Sequence, residues 1–171
     1  HRHYRRQRQM CIRDSEYGGC FPNKIRIATE IVEGIRKSVG EDFLIIFRIP
    51  AMDMLEGGMS WEEICALGQA LENSGVSIVS THFSWHESPV PTIATMVPRA
   101  AFTSVTKRLK SVINVPVITS NRINMPDVAE TVLANGDADL VSMARPFLAD
   151  GKIFEKIKKG REEEINTCIA C

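Results

Sequence analysis

The chain has 171 residues, enough for one domain or a large part of one. Hydrophobic residues make up 44% and charged residues 25%, the mix of a globular protein with a packed core; no apolar run approaches the roughly 20 residues that span a bilayer, and no apolar stretch opens the chain as a secretory signal would. Twenty-one basic side chains stand against 21 acidic ones, so the net charge is zero and gives no general case for nucleic acid.

That balance hides an asymmetry. Residues 1–15 hold five Arg against one Asp, a net of +4, which leaves the remainder at −4. This head has neither helical nor strand periodicity. It reads as an RNA-binding arm, a targeting peptide or sequence foreign to the domain; the last is preferred, and the head is set aside from the fold. Five cysteines, at 11, 20, 65, 168 and 171, are an odd number and suggest no disulfide framework. A reducing, cytoplasmic setting is expected. Cys65, inside an apolar helical stretch, is expected to be core.

From residue 23 onward, helical and strand patterns alternate. Residues 23–40 predict a helix capped by Asn23, with Ile27, Ile31 and Ile35 recurring every four and Gly40 as the stop. Residues 43–49, "FLIIFRI", predict a buried strand. Residues 60–75 open with Ser60 and Glu63 at capping-box spacing and close on Gly75. A strand over 76–81 leads into a proline-bearing loop over 82–99. A basic helix follows at 100–113, a strand at 115–119, and a helix at 125–136 with Pro126 near its first position. A strand over 138–143 and a charged helix over 154–164 complete the series.

Strands alternating with helices, and no hairpin signal, imply parallel pairing with right-handed crossovers. A doubly wound open sheet and part of a (β/α)8 TIM barrel both satisfy this. No glycine fingerprint follows any strand, which weighs against a dinucleotide fold.

Polar residues gather after each strand. Arg48 closes the first, His86 follows the second, Asn121 and Arg122 the third, and Ala144, Arg145 and Pro146 the fourth. In parallel α/β folds these ends open on one face, where active sites sit. Three arginines and a histidine there suit an anionic ligand, most economically a phosphate. His82 and His86 have a spacing that could ligate metal on a helix, but Pro89 and Pro91 make this stretch a loop. His86 as a hydrogen-bond donor to a substrate carbonyl is the simpler chemistry.

Several stretches carry a resemblance: "EYGGCFPNKIRIATEIV", "FLIIFRIPAMDMLEGG", "STHFSWHESPVPTIAT", "VITSNRIN", "GDADLVSMARPFLAD" and "EEINTCIAC". In this order they resemble the bacterial NADPH-dependent 2,4-dienoyl-CoA reductases, multidomain old yellow enzyme-like flavoproteins. The resemblance implies a TIM barrel holding FMN, with residues 16–160 as its second half (strands five to eight) and 161–171 as the start of an iron–sulfur segment. It implies that Arg48, Arg122, Ala144 and Arg145 bind FMN, and that Glu87, Ser88, Pro89 and Val90 line the acyl-CoA site. His86 would act on the substrate as the catalytic group. In such enzymes hydride passes from flavin to the conjugated chain while a tyrosine supplies the proton. That tyrosine should precede residue 16, and neither Tyr4 nor Tyr17 matches it.

Cys168 and Cys171 match the first two of four thiolates that hold a 4Fe–4S cluster in these proteins. FAD- and NADPH-binding domains would lie further along. The expectation is therefore a fragment, inactive alone, with uncovered sheet edges that invite self-association. It expects no nucleic-acid or membrane partner. A trimethylamine dehydrogenase-like or NADH oxidase-like flavoprotein is the nearest competitor. A nucleic-acid-binding module or a flavodoxin-like structural domain stands further off.

Overall fold

The structure is a computed structural model that describes residues 16–84, 88–90, 92 and 94–169. Helix α1 (Phe21–Val39) leads into strand β1 (Ile46–Met52), then α2 (Trp61–Asn73) and β2 (Ile78–Phe83). Next come α3 (Thr103–Lys110), β3 (Val117–Thr119), α4 (Pro126–Ala134) and β4 (Leu140–Val141). Two short helices, α5 (Arg145–Ala149) and α6 (Ile153–Lys158), and a 3-10 turn at Glu162–Glu164 finish the chain. The strands form one parallel sheet in the order β1-β2-β3-β4, each joined to the next through a helix. This is the predicted α/β architecture.

Alternation along the strands sorts the residues into two faces. Ile49, Val79, Thr81, Phe83, Val117 and Thr119 are buried on the helix side. There Ile49, Val79 and Val117 join Ile64, Leu67, Leu71, Leu109 and Val32 in the main core. The other face carries a row paired across all four strands, Arg48–Ser80–Ile118–Leu140, with Ile46 and Ile78 paired on one side of it. Ile46 and Leu140 are 50% and 42% exposed. Among the described residues nothing covers this face.

Three buried hydroxyls stitch the helix side together. Thr81 donates to the Ile118 carbonyl at 3.0 Å, which commits its only hydrogen. Thr106 of α3 therefore donates to Thr81 (3.2 Å), and Thr119 donates to Thr106 (3.0 Å). A second knot is Arg36, near the end of α1. Its guanidinium donates to the carbonyls of Gly75, Gly40 and Phe43 at 2.6–3.0 Å, and to Ser77 Oγ. One side chain thus fixes α1 against the approaches to β1 and β2.

Several predicted boundaries move. Helix α1 starts at Phe21 with Cys20 at the N-cap, not at Asn23, because Pro22 suits a first-turn position. Asn23 instead donates to the Gly18 carbonyl (3.0 Å). Ile27, Ile31 and Ile35 are 51%, 53% and 40% exposed, whereas Val32 is the buried residue of this helix. The capping box is formed as expected: Glu63 N donates to Ser60 Oγ, and Ser60 N to Glu63 Oε2. Strands β1 and β2 each run two or three residues later than predicted, to Met52 and Phe83. Cys65 is only partly buried; burial is still the main cause that pushes its thiol pKa up.

Candidate functional site

The carboxyl ends of the four strands surround a cavity of about 510 Å³. Arg48 and His82 come from β1 and β2, and Ser120, Asn121 and Arg122 from the turn after β3. Ala144 comes from the turn after β4 and Arg145 from the first position of α5. The four predicted cofactor residues, Arg48, Arg122, Ala144 and Arg145, therefore share one cavity. Arg48 gets there differently from the prediction. It lies inside β1 on the open face rather than at the strand end, because the strand continues through Pro50 to Met52.

The turn after β3 is strained and tightly held. Asn121 and Arg122 both take positive φ (69° and 57°), a conformation that costs a non-glycine residue about 1–3 kcal/mol. Four bonds hold it. Ser120 Oγ donates to the Thr81 carbonyl (2.8 Å), Asn121 Nδ2 to Thr92 Oγ1 (3.1 Å) and Arg122 Nε to the Val97 carbonyl (2.8 Å). The Ala100 amide donates back to the Arg122 carbonyl (3.0 Å). Arg122 is only 8% exposed, and its Nη groups have no hydrogen-bond partner among the described residues. Arg122 lines the cavity, and a guanidinium held there suits an anionic ligand.

The loop over 92–102 is held from behind. Phe83 and Phe102 stack with ring centres 5.1 Å apart and, with Ala51 and Val97, form a small core of their own. The loop's attachment to Arg122 thus rests on apolar packing next to β2.

His86 and Glu87, the predicted catalytic residue and one of the predicted substrate residues, lie outside the described residues. Ser88, Pro89 and Val90 are described but do not line the cavity. They are tied to its wall, because Ser84, a lining residue, donates to the Val90 carbonyl at 3.5 Å. Cys171 also lies outside the described residues. Cys168 is half-buried; its carbonyl accepts from Asn124 Nδ2 at 2.9 Å, two residues beyond Arg122. Among the described residues no three His, Cys, Asp or Glu side chains gather as a metal site. A 4Fe–4S cluster takes four thiolates. Of the two predicted thiolate ligands, the described residues include Cys168 alone.

Sequence reasoning missed His82 as a site residue. It fell in the predicted loop, but β2 extends through it and turns its ring onto the open face, paired with Pro50. Its Nδ1 lies 3.5 Å from Arg48 Nη2. Burial, and then the neighbouring Arg48 charge, lower its pKa. The signal available in the sequence was alternation in phase with Ser80, had the strand been carried two residues further.

A parallel α/β sheet that brings three arginines into one cavity suits an anionic ligand, as in the barrel-type α/β enzymes. Residues 8–164 match the NADH:flavin oxidoreductase / NADH oxidase family. A metal reductase of Desulforamulus reducens is 37% identical over 159 residues, covering 93% of this chain. An NADH oxidase of Thermoanaerobacter brockii is 36% identical over 164 residues, also covering 93% of this chain. Among solved structures, a 2-naphthoyl-CoA reductase in complex with 2-naphthoyl-CoA superposes with a TM-score of 0.87 at 34% identity, over 92% of this chain. The chain spans about a quarter of each of these relatives, 24%, 25% and 24% respectively.

The chain belongs to the NADH:flavin oxidoreductase / NADH oxidase family, and its four strand–helix units are part of a TIM barrel. FMN is the cofactor of that family, and the donor set fits it: three guanidiniums, serine hydroxyls and a left-handed turn face one cavity. No described helix is long and apolar enough to cross a membrane.

Proposed function

We propose that this chain is the strand-five-to-eight portion of an FMN-dependent reductase of conjugated acyl-CoA thioesters, a 2,4-dienoyl-CoA reductase drawing electrons from NADPH. The observation that carries the flavin part is the cavity in which Arg48, the buried Arg122 and Arg145 meet. Arg48, Arg122, Ala144 and Arg145 are the residues that would hold FMN. Bound there, FMN supplies two-electron transfer to a conjugated substrate.

This chain's residues do the holding. Arg122 meets negative charge from a position it cannot leave without breaking its bond to Val97. Packing of the apolar cluster Ala51, Phe83, Val97 and Phe102 keeps that attachment dry. The loop tied to Ser84 brings Val90 beside the cavity wall, and the reading assigns acyl-thioester contacts to Glu87, Ser88, Pro89 and Val90. His86 is assigned the hydrogen bond that orients and polarises the thioester carbonyl. Support for a CoA substrate comes from the naphthoyl-CoA reductase likeness. The iron–sulfur role of Cys168 and Cys171 belongs to the same proposal, as do FAD- and NADPH-binding segments elsewhere in the parent and a cytoplasmic setting.

A second reading is an amine-oxidising flavoprotein, favoured by the likeness to histamine dehydrogenase of Rhizobium sp. 4-9 (TM-score 0.75, 28% identity). Steady-state assays of the flavin-loaded parent enzyme separate the two. Turnover of a 2,4-dienoyl-CoA with NADPH and none of methylated amines or histamine is expected; the reverse pattern would overturn the proposal.

A further inference from the structure

We infer that His82 is a positioning residue for Arg48: its Nδ1 accepts from the Arg48 guanidinium, which fixes the ring as the Nε2–H tautomer and holds the guanidinium at the cavity. The contact stands on geometry alone, whereas its bearing on flavin binding rests on the reading proposed above.

The register puts the two side chains together. His82 pairs with Pro50, two residues along β1 from Arg48, so the two residues are diagonal neighbours on one sheet face. Pro50 has no side-chain donor or acceptor and does not compete for the ring. The Nη2–Nδ1 distance is 3.5 Å. A guanidinium has only donors, so the nitrogen facing it must be the unprotonated one. A charged ring would set two cations against each other.

The surroundings disfavour the charged ring. Burial acts first and the Arg48 charge second, and Asp53 on the loop after β1 pulls weakly the other way. From the other elements around the cavity, the charged groups among the described residues are Arg122 and Arg145, both cations. The single N–H of neutral His82 is therefore on Nε2. Arg48 is exposed and has four rotatable bonds, so an acceptor that restrains it reduces the entropy lost when a ligand arrives.

Long-range 15N–1H NMR of the histidine rings, on the full chain between about pH 5 and about pH 8, tests the contact directly. The expected result is a neutral Nε2–H tautomer for His82 that titrates below an exposed histidine. Arg48→Met should raise its midpoint and mix the tautomers. Arg48→Lys, which keeps the charge, should mix the tautomers with less change in midpoint, and it serves if the first variant does not fold. An Nδ1–H tautomer, or a midpoint unmoved by Arg48→Met, would overturn the assignment.

FMN fluorescence quenching with the flavin-free parent enzyme tests the consequence. His82→Leu should weaken FMN binding by roughly 3- to 10-fold, the size of one modest hydrogen bond. His82→Gln, whose amide oxygen can replace Nδ1 as acceptor, should recover most of that loss. Equal affinities for wild type and His82→Leu, or no recovery with glutamine, would refute the positioning role. If the wild-type parent enzyme binds no FMN, the flavin reading fails, and the NMR result still decides the pair.

Discussion

The two faces of the sheet are built from the same strands and hold opposite kinds of residue. On the helix side, Ile49, Val79, Val117 and the threonine chain are buried and fully engaged. On the open side, Arg48, Ser80, His82, Ile118 and Leu140 stand at alternating positions in the same strands. One face holds the fold together, and the other is the one the proposed function gives to ligands. A period of two separates them, so a substitution one residue along a strand should change which property is lost.

The largest effect should come from the helix side. Leu71 is fully buried in the main core, and Leu71→Ala should cost about 2–5 kcal/mol of stability from lost burial and the cavity left behind. Urea denaturation measures it, and FMN affinity should fall only as far as the folded fraction does. Thr106→Val should cost less, about 1–3 kcal/mol, because it leaves the Thr119 hydrogen buried without an acceptor. A shift in the urea midpoint with an unchanged slope would bear that out.

A pH-dependent effect concerns Asp150, whose contribution is complete near neutral pH and lost in acid. Its carboxylate accepts from Lys156 Nζ and from the amides of Asn166 and Lys152. Lys156 first, and then the Asn166 amide, hold its pKa down to about 2. A depressed carboxylate stabilises the folded state above its unfolded pKa, and that contribution fades as pH falls from about 4 toward about 2. Thermal melts across that window should show an acid limb that Asp150→Asn flattens.

How legible each face was in the sequence follows from the same contrast. The order of elements, the capping box at Ser60 and Glu63 and the start of α4 at Pro126 were all readable, because local chemistry sets them. The arginines were readable as a group because the carboxyl ends of parallel strands share one side. His82 was not, since alternation in phase with Ser80 runs through it but only pairing with β1 decides between strand and loop at residues 82–83. The Ile27, Ile31 and Ile35 stripe announced a helix correctly but did not say which side packs here; Val32 and the Arg36 knot decide that. The strain at Asn121 and Arg122 was also hidden, because neither residue is a glycine and the turn is held by Thr81, Thr92, Val97 and Ala100.

The division between the faces stands or falls on Arg122. Titration of FMN into the flavin-free parent enzyme and its Arg122→Met variant, with urea midpoints recorded on the same samples, is the direct test. Saturable FMN binding by the wild type is expected, weakened by about 10- to 100-fold in the variant through loss of charge-assisted hydrogen bonds. Equal FMN affinity in the two proteins, or no binding by the wild type, would contradict the assignment of the open face to the flavin.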